Sequence, residues 1–248
     1  MAAAAFDQSK AYAPQEEGTN FFDDGREIEL LHFIYEHPNL DDFRDSPKNV
    51  LKAIDEYART KKYLMNVGED KGRIVTDLIA DVKPKTMVEL GGYVGYSCIL
   101  FGDAVRKRNP EFAAVIASLV DLAGLSDIVK AVQIDLMFLD HYKPAYTTDL
   151  KLCEELKLVT VGSVLAADNV IKPRNPSYLE YVRASVEEKK EKMQSEKTIN
   201  QYAKRYTQED FSKSKGNPNL VYESKLLNSY EPTGVPDGVE ITRCVGEE

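Results

Sequence analysis

Little in this 248-residue chain suits a disulfide framework, a membrane span or a polyanion. Its three cysteines, Cys98, Cys153 and Cys244, have no metal-ligand spacing and are too few and scattered to staple a fold, which fits a reducing, cytoplasmic setting. Lys and Arg number 32 against 41 Asp and Glu, so a net charge of −9 offers no general basic face to nucleic acid or anionic lipid. No window reaches the ~18 apolar residues of a membrane span, and the opening Met1-Ala2-Ala3-Ala4-Ala5 lacks the basic start and apolar run of a targeting segment. The G-x-G-x-x-G of dinucleotide-binding folds, the Gly-Lys-Ser/Thr of a phosphate loop and any internal repeat are also missing. What is present, with 43% apolar residues, is enough to bury a sizeable core in one large domain or two small ones.

Residues 1–25 mix Ala, Gln, Gly, Asp and Pro without periodicity and read as a loosely held, flexible arm before a single domain over 26–248. From Arg26 the apolar spacing turns helical. Ile28, Leu31, His32 and Ile34 share one face, Ser46-Pro47 opens a second helix through Val50, Leu51, Ile54 and Tyr57, and a third carries Ile74, Val75, Leu78 and Ile79. His32 and His37 have no metal partner nearby and read as ordinary helix residues. After Pro84 comes the strand Thr86 to Leu90, then a helical stretch from Tyr96 to Lys107. Here the alternation of an α/β sheet breaks, because a second helical run, Pro110 to Gly124, follows with no β-rich segment between, and the strand-like Ile128 to Val132 meets Gln133 to Asp140 with no room for a crossover. Beyond a helix from Ser177 to Arg183, the charged tract from Glu187 to Asn219 reads as a solvated helix and loop, and Leu220 to Leu227 and Gly238 to Cys244 as two closing strands joined by a Pro/Gly turn.

Chemistry concentrates at strand ends. The apolar runs Gln133 to Leu139 and Val164 to Ala167 each end in hard oxygen donors, Asp140 on one and Asp168-Asn169 on the other. Ligands of open α/β sheets bind beyond the carboxyl ends of the strands, so two neighbouring strands with these endings form a candidate divalent-metal site; for either aspartate alone, a turn or cap is the alternative. The strand ending at Leu90 runs into Gly91-Gly92-Tyr93-Val94-Gly95, where glycines admit a ligand to the backbone and Glu89 can accept hydrogen bonds from ribose hydroxyls or an amine.

That stretch, E-x-G-x-x-x-G, resembles motif I of class I S-adenosylmethionine-dependent methyltransferases. Three further segments, Met65 to Gly72, Leu139 to Lys143 and Ala167 to Pro173, are similar to the catechol O-methyltransferase family, in the same order and spacing, over roughly Arg26 to Arg183 and again near Tyr222. The resemblance implies an α/β, Rossmann-like methyltransferase sheet with flanking helices. It also implies Mg2+ on Asp140, Asp168 and Asn169, Lys143 as general base, and a small-molecule catechol or related diol as acceptor. Val67, Gly91, Tyr93 and Ser97, with Glu89, would contact S-adenosylmethionine, and His141 and Tyr142 its adenine; Tyr63, Met65 and Pro173 would line the acceptor slot. Tyr142 stands where the family commonly has tryptophan, and Tyr63 replaces another aromatic. Ser229 falls where the family often has a glutamate, so that residue's role is not transferred.

The resemblance is interrupted twice, between Arg108 and Asn109 and near Val132, where the second strand with its ribose-binding acid and the adenine loop after the third strand would lie. The sheet is therefore expected to lack one or two edge strands. Besides catechol methylation, the interruptions keep open a non-catalytic relative acting as a binding or partner protein, and the donor set an O-methyltransferase for another vicinal diol.

Overall fold

The structure, a computed structural model, describes residues 5–15, 22–108, 117–118, 133–195 and 214–248, with backbone alone at 117–118 and 194–195. The chain forms two compact units, residues 1–83, 92–113 and 228–237 in one and 84–91, 114–227 and 238–248 in the other. Residues 26–248, expected as one domain, contribute to both.

The first unit is helical: α1 (Arg26–Tyr35), α2 (Pro47–Thr60), α3 (Gly68–Val82) and α4 (Tyr96–Arg108). Pro47 opens α2 with its preset φ, and α2 and α3 bury the expected stripes, Ile54 and Tyr57 on one, Val75, Leu78 and Ile79 on the other. Helix α1 forms where expected but with another face inward. Leu30 is buried, whereas Ile28 and Leu31 are 62% and 55% exposed. The cause is Arg26, whose buried guanidinium bonds Asp24 and the Tyr63 carbonyl; it fixes the helix rotation so that the residue four positions on faces the core. His32 lies exposed on α1, and His37 sits in the turn after it rather than in the helix. Gly72 lets α3 and α4 close up, since a Cβ there would lie 2.6 Å from Leu100 Cδ2. Part of the leading segment is tied down: Tyr12 is buried, its N–H donates to the Pro232 carbonyl at 2.9 Å, and Ala13 donates to the Ala58 carbonyl at 2.8 Å. Short-range sequence pattern gave no sign of these distant partners.

The second unit holds the sheet, in the order β2-β1-β3-β4-β6-β5, from β1 (Met87–Leu90), β2 (Ala117–Ser118), β3 (Leu136–Leu139), β4 (Val164–Ala167), β5 (Leu220–Tyr230) and β6 (Pro236–Glu247). The ends of β5 and β6 at 228–230 and 236–237 belong to the first unit. Strands β2, β1, β3 and β4 run parallel and β6 pairs antiparallel with β4. Every residue of β1, β3 and β4 is buried, which is why these strands, apart from Glu89, are apolar rather than alternating. Among the described residues one short strand lies beyond β1. Ala117 and Ser118 pair with Val88 and Glu89, a two-residue strand that long-range pairing creates from residues with no β-branched signal. The expected helix Pro110 to Gly124 and strand Ile128 to Val132 otherwise lie outside the described residues. Helices α5 (Tyr146–Glu155), α6 (Pro176–Arg183) and α7 (Val186–Ser195) complete the unit. Tyr146, Leu150, Cys153, Tyr178 and Val182 pack on Met137, Leu139, Leu165 and Ala167 to form the core. Helix α7 forms at the start of the expected solvated helix and loop, with Glu187, Glu188, Lys190, Glu191 and Lys192 exposed and only Lys189 of that run buried.

Candidate active site

Parallel register sets the geometry. Leu139 pairs with Ala167, so the next residues, Asp140 and Asp168, leave neighbouring strands side by side, about 4.8 Å apart by the ordinary spacing of paired strands. Backbone bonds carry the ladder past the strand ends: Asp140 N–H donates to the Leu90 carbonyl and Asp168 N–H to the Leu139 carbonyl, each at 2.9 Å. Gly91 makes the first of these approaches possible. With φ +100° it occupies a region closed to most side chains, and a Cβ would lie 2.3 Å from the Asp140 carbonyl oxygen.

Beyond β4 the chain turns at Asn169, left-handed at φ 57° and ψ 33°, a conformation asparagine tolerates, and its N–H donates to Asp168 Oδ1 at 2.8 Å. Beyond β3, Lys143 turns back so that its Nζ lies 2.8 Å from Asp140 Oδ1 and 3.0 Å from Tyr146 Oη. Asn175, which caps α6 by accepting from Tyr178 N–H, donates its Nδ2 to the Lys143 carbonyl at 2.9 Å. His141 bonds through Nε2 to Asp149 at 2.8 Å and stacks on Tyr146 with centroids 4.8 Å apart; its Nδ1 is enclosed without a protein partner. Tyr142 and Pro173 are exposed near this cluster in the chain, Tyr142 at 58%.

The second unit thus brings together Asp140, His141, Lys143, Asp168 and Asn169, and also contains Glu89, Gly91, Tyr142 and Pro173. Glu89 is buried on β1, where it pairs with Phe138 and Ser118. The remaining candidates, Tyr63, Met65, Val67, Tyr93 and Ser97, belong to the first unit. There Val67 is the buried N-cap of α3, Ser97 is buried at the start of α4, Tyr63 is buried and Met65 is 37% exposed. Burial holds the Tyr93 phenol above its ordinary range, reinforced by the Glu27 carboxylate. Three residues at the strand exits were missed by sequence reasoning: Tyr146, Asp149 and Asn175. Only the spacing of Lys143 to Tyr146, one turn apart, could have suggested the first. The buried thiols are not alternative nucleophiles, since burial pushes Cys153 up to about 12 and Cys244 to about 11.

Among the described residues no three His, Cys, Asp or Glu side chains cluster tightly enough to hold a metal by themselves. The strand-exit set has two carboxylates and an amide oxygen, hard donors of the kind magnesium accepts while retaining water or substrate in other positions. A carboxylate has about four lone-pair sites, so the bond from Lys143 to Asp140 Oδ1 is compatible with a cation on the same carboxylate. No described helix is long and apolar enough to cross a membrane.

No protein-family model matches the chain. Among known proteins, the mouse catechol O-methyltransferase is 36% identical over 186 residues, 64% of this chain and 69% of the mouse protein. The zebrafish catechol O-methyltransferase B is 36% identical over 182 residues, 63% of this chain and 67% of that protein. Among solved structures, the O-methyltransferase TomG of Streptomyces achromogenes aligns over 88% of this chain and 99% of its own with 14% identity and a TM-score of 0.48.

Proposed function

The chain belongs to the catechol O-methyltransferase family, and from that membership we propose that it transfers the methyl group of S-adenosylmethionine to one hydroxyl of a catechol in a magnesium-dependent reaction. The observation that carries this reading is the ion pair of Lys143 with Asp140 beside the Asp168-Asn169 exit of the neighbouring parallel strand. Asp140, Asp168 and Asn169 would hold the cation, which when bound supplies a Lewis-acidic centre favouring the ionised catechol oxygen. Lys143 Nζ is the group that would take the hydroxyl proton, and Asp140 and Tyr146 hold it in place. The catechol oxygen then forms the new bond to carbon as the carbon–sulfur bond of the donor breaks, leaving S-adenosylhomocysteine and a proton on the lysine. His141, steadied by Asp149, and exposed Tyr142 would meet the donor's adenine, and Pro173 would border the acceptor. The remaining contribution is positioning for in-line attack.

A second reading, a non-catalytic relative, is favoured by the two interruptions, which remove the ribose-binding acid and the adenine loop. Hydrogen bonds to charged groups contribute roughly 1.5 to 3 kcal/mol each, so losing two such contacts weakens donor binding by about two orders of magnitude or more. Calorimetric titration with S-adenosylmethionine in the presence of magnesium separates the two. Micromolar binding followed by turnover of catechol supports the enzyme; a folded sample that binds no donor overturns it. Turnover of another vicinal diol in preference to catechol would reassign the acceptor alone.

A further inference from the structure

We propose that Tyr146 is a positioning residue for this site: its phenol proton is committed to the backbone of the strand exits, so that its oxygen presents a fixed acceptor to Lys143. The inference rests on the methyltransferase reading for the role of Lys143, but the geometry is independent of it. Tyr146 is fully buried at the first position of α5. Its Oη lies 2.8 Å from the Leu139 carbonyl, at the end of β3, and 3.3 Å from the Asp168 carbonyl, just past β4. A phenol has one proton, and both carbonyls are acceptors, so that proton is directed at the backbone and an oxygen lone pair is left for Lys143 Nζ at 3.0 Å. The same hydroxyl thereby joins the two strand exits and the lysine.

The consequence for Lys143 follows from counting hydrogens. With one N–H on Asp140 Oδ1 at 2.8 Å and another on Tyr146 Oη at 3.0 Å, the one remaining tetrahedral direction at Nζ points away from both acceptors. Without Tyr146 the amine would pivot about its bond to Asp140. The ring adds to the restraint, lying 5.2 Å from Nζ and stacking on His141, the neighbour on the other side of the strand exit. Removing the hydroxyl leaves the Leu139 carbonyl still bonded to Asp168 N–H, so the strand ladder survives the test.

The test compares the wild-type chain with Tyr146→Phe and with Tyr146→4-aminophenylalanine, whose amino group keeps donors for the two carbonyls but is a poor acceptor. The direct readout is carbon relaxation at Lys143 Cε, assigned by its loss in Lys143→Gln. Lys143 is expected to be ordered in the wild type and as mobile as a surface lysine in both variants. In turnover of catechol, kcat is expected to fall tenfold to a hundredfold on the order of one charge-assisted hydrogen bond, with the KM values for both substrates unchanged. Adding Tyr146→Phe to Lys143→Gln should bring no further loss. A mobile wild-type lysine, equal order in wild type and variants, or a Tyr146→Phe loss that adds in full to that of Lys143→Gln would overturn the proposal. If Tyr146→Phe does not fold, the aminophenylalanine variant decides. Should the wild type methylate no catechol, the proposed function fails, while the relaxation data still decide whether Tyr146 holds the lysine.

Discussion

The second unit contains two constellations built from the same side chains, a lysine, a carboxylate and tyrosines, and their surroundings give them opposite uses. At the strand exits Lys143 is 20% exposed and Asp140 15%, close enough to solvent for a ligand to reach them. On the helical side, Glu154 and Lys189 are 2% and 3% exposed. Glu154 accepts from the hydroxyls of Tyr181 and Tyr222, at 2.5 and 2.6 Å, and from Asn217 N–H, at 2.8 Å. Lys189 donates to the Leu220 carbonyl and lies over the rings of Tyr181 and Tyr222, 5.5 and 4.4 Å from their centroids. Those contacts join α5, α6, α7, the start of β5 and the turn before it. Burial raises the Glu154 carboxyl and lowers the Lys189 ammonium, so both charges bear a desolvation cost that their partners offset. The lesson is that residue type does not distinguish a lysine proposed as a base from a structural one; access and the character of its acceptors do.

The comparison breaks first if Lys143 proves dispensable. Lys143→Gln is expected to lower kcat for catechol methylation by about a hundredfold to ten-thousandfold, the range of a general base, with a melting temperature close to wild type. The converse holds for Glu154→Ala. Two tyrosine hydroxyls and a backbone N–H lose their acceptor, so stability is expected to fall by about 3 kcal/mol in urea unfolding, with donor affinity by calorimetry unchanged. Tyr222→Phe removes one of those bonds while keeping the ring under Lys189, and should cost about 1 kcal/mol in the same assay.

The smallest effect is a pH slope that sharpens the contrast. The folded carboxyl of Glu154 titrates above its ordinary 4.5, so the unfolded chain ionises first; the stability this group contributes is complete below 4.5 and is lost as pH rises through the folded value. Glu154→Gln cannot ionise. Its melting temperature is therefore expected to gain on the wild type as pH rises from 4.5 towards neutrality, and a constant difference across that range would show that Glu154 is not desolvated.

Much of the architecture was legible in local pattern. The runs of β1, β3 and β4, apolar but for Glu89, announced buried parallel strands because a strand covered on both sides needs no polar alternation, and Pro47 marked where α2 begins. Asp140, Asp168 and Asn169 were identifiable because they follow such runs directly, and a parallel register then leaves them on adjacent strands. Less legible was anything set by contacts distant in sequence. Helix α1 turned Leu30 inward because Arg26 found the carbonyl of Tyr63, and β2 formed from Ala117 and Ser118 because the β1 edge was there to pair with.

Sequence by itself therefore determined the types of the long elements and the residues that leave β3 and β4, since both depend on neighbours within a few positions and on the periodicities of helix and strand. Only tertiary structure decided that Tyr146 rather than solvent would take the second hydrogen of Lys143, and that Lys189 in a charged tract would be buried between two rings. Those outcomes depend on which side chains folding brings within about 3 Å of each other, and hydrogen bonding at that range is set by packing across the chain rather than by order along it.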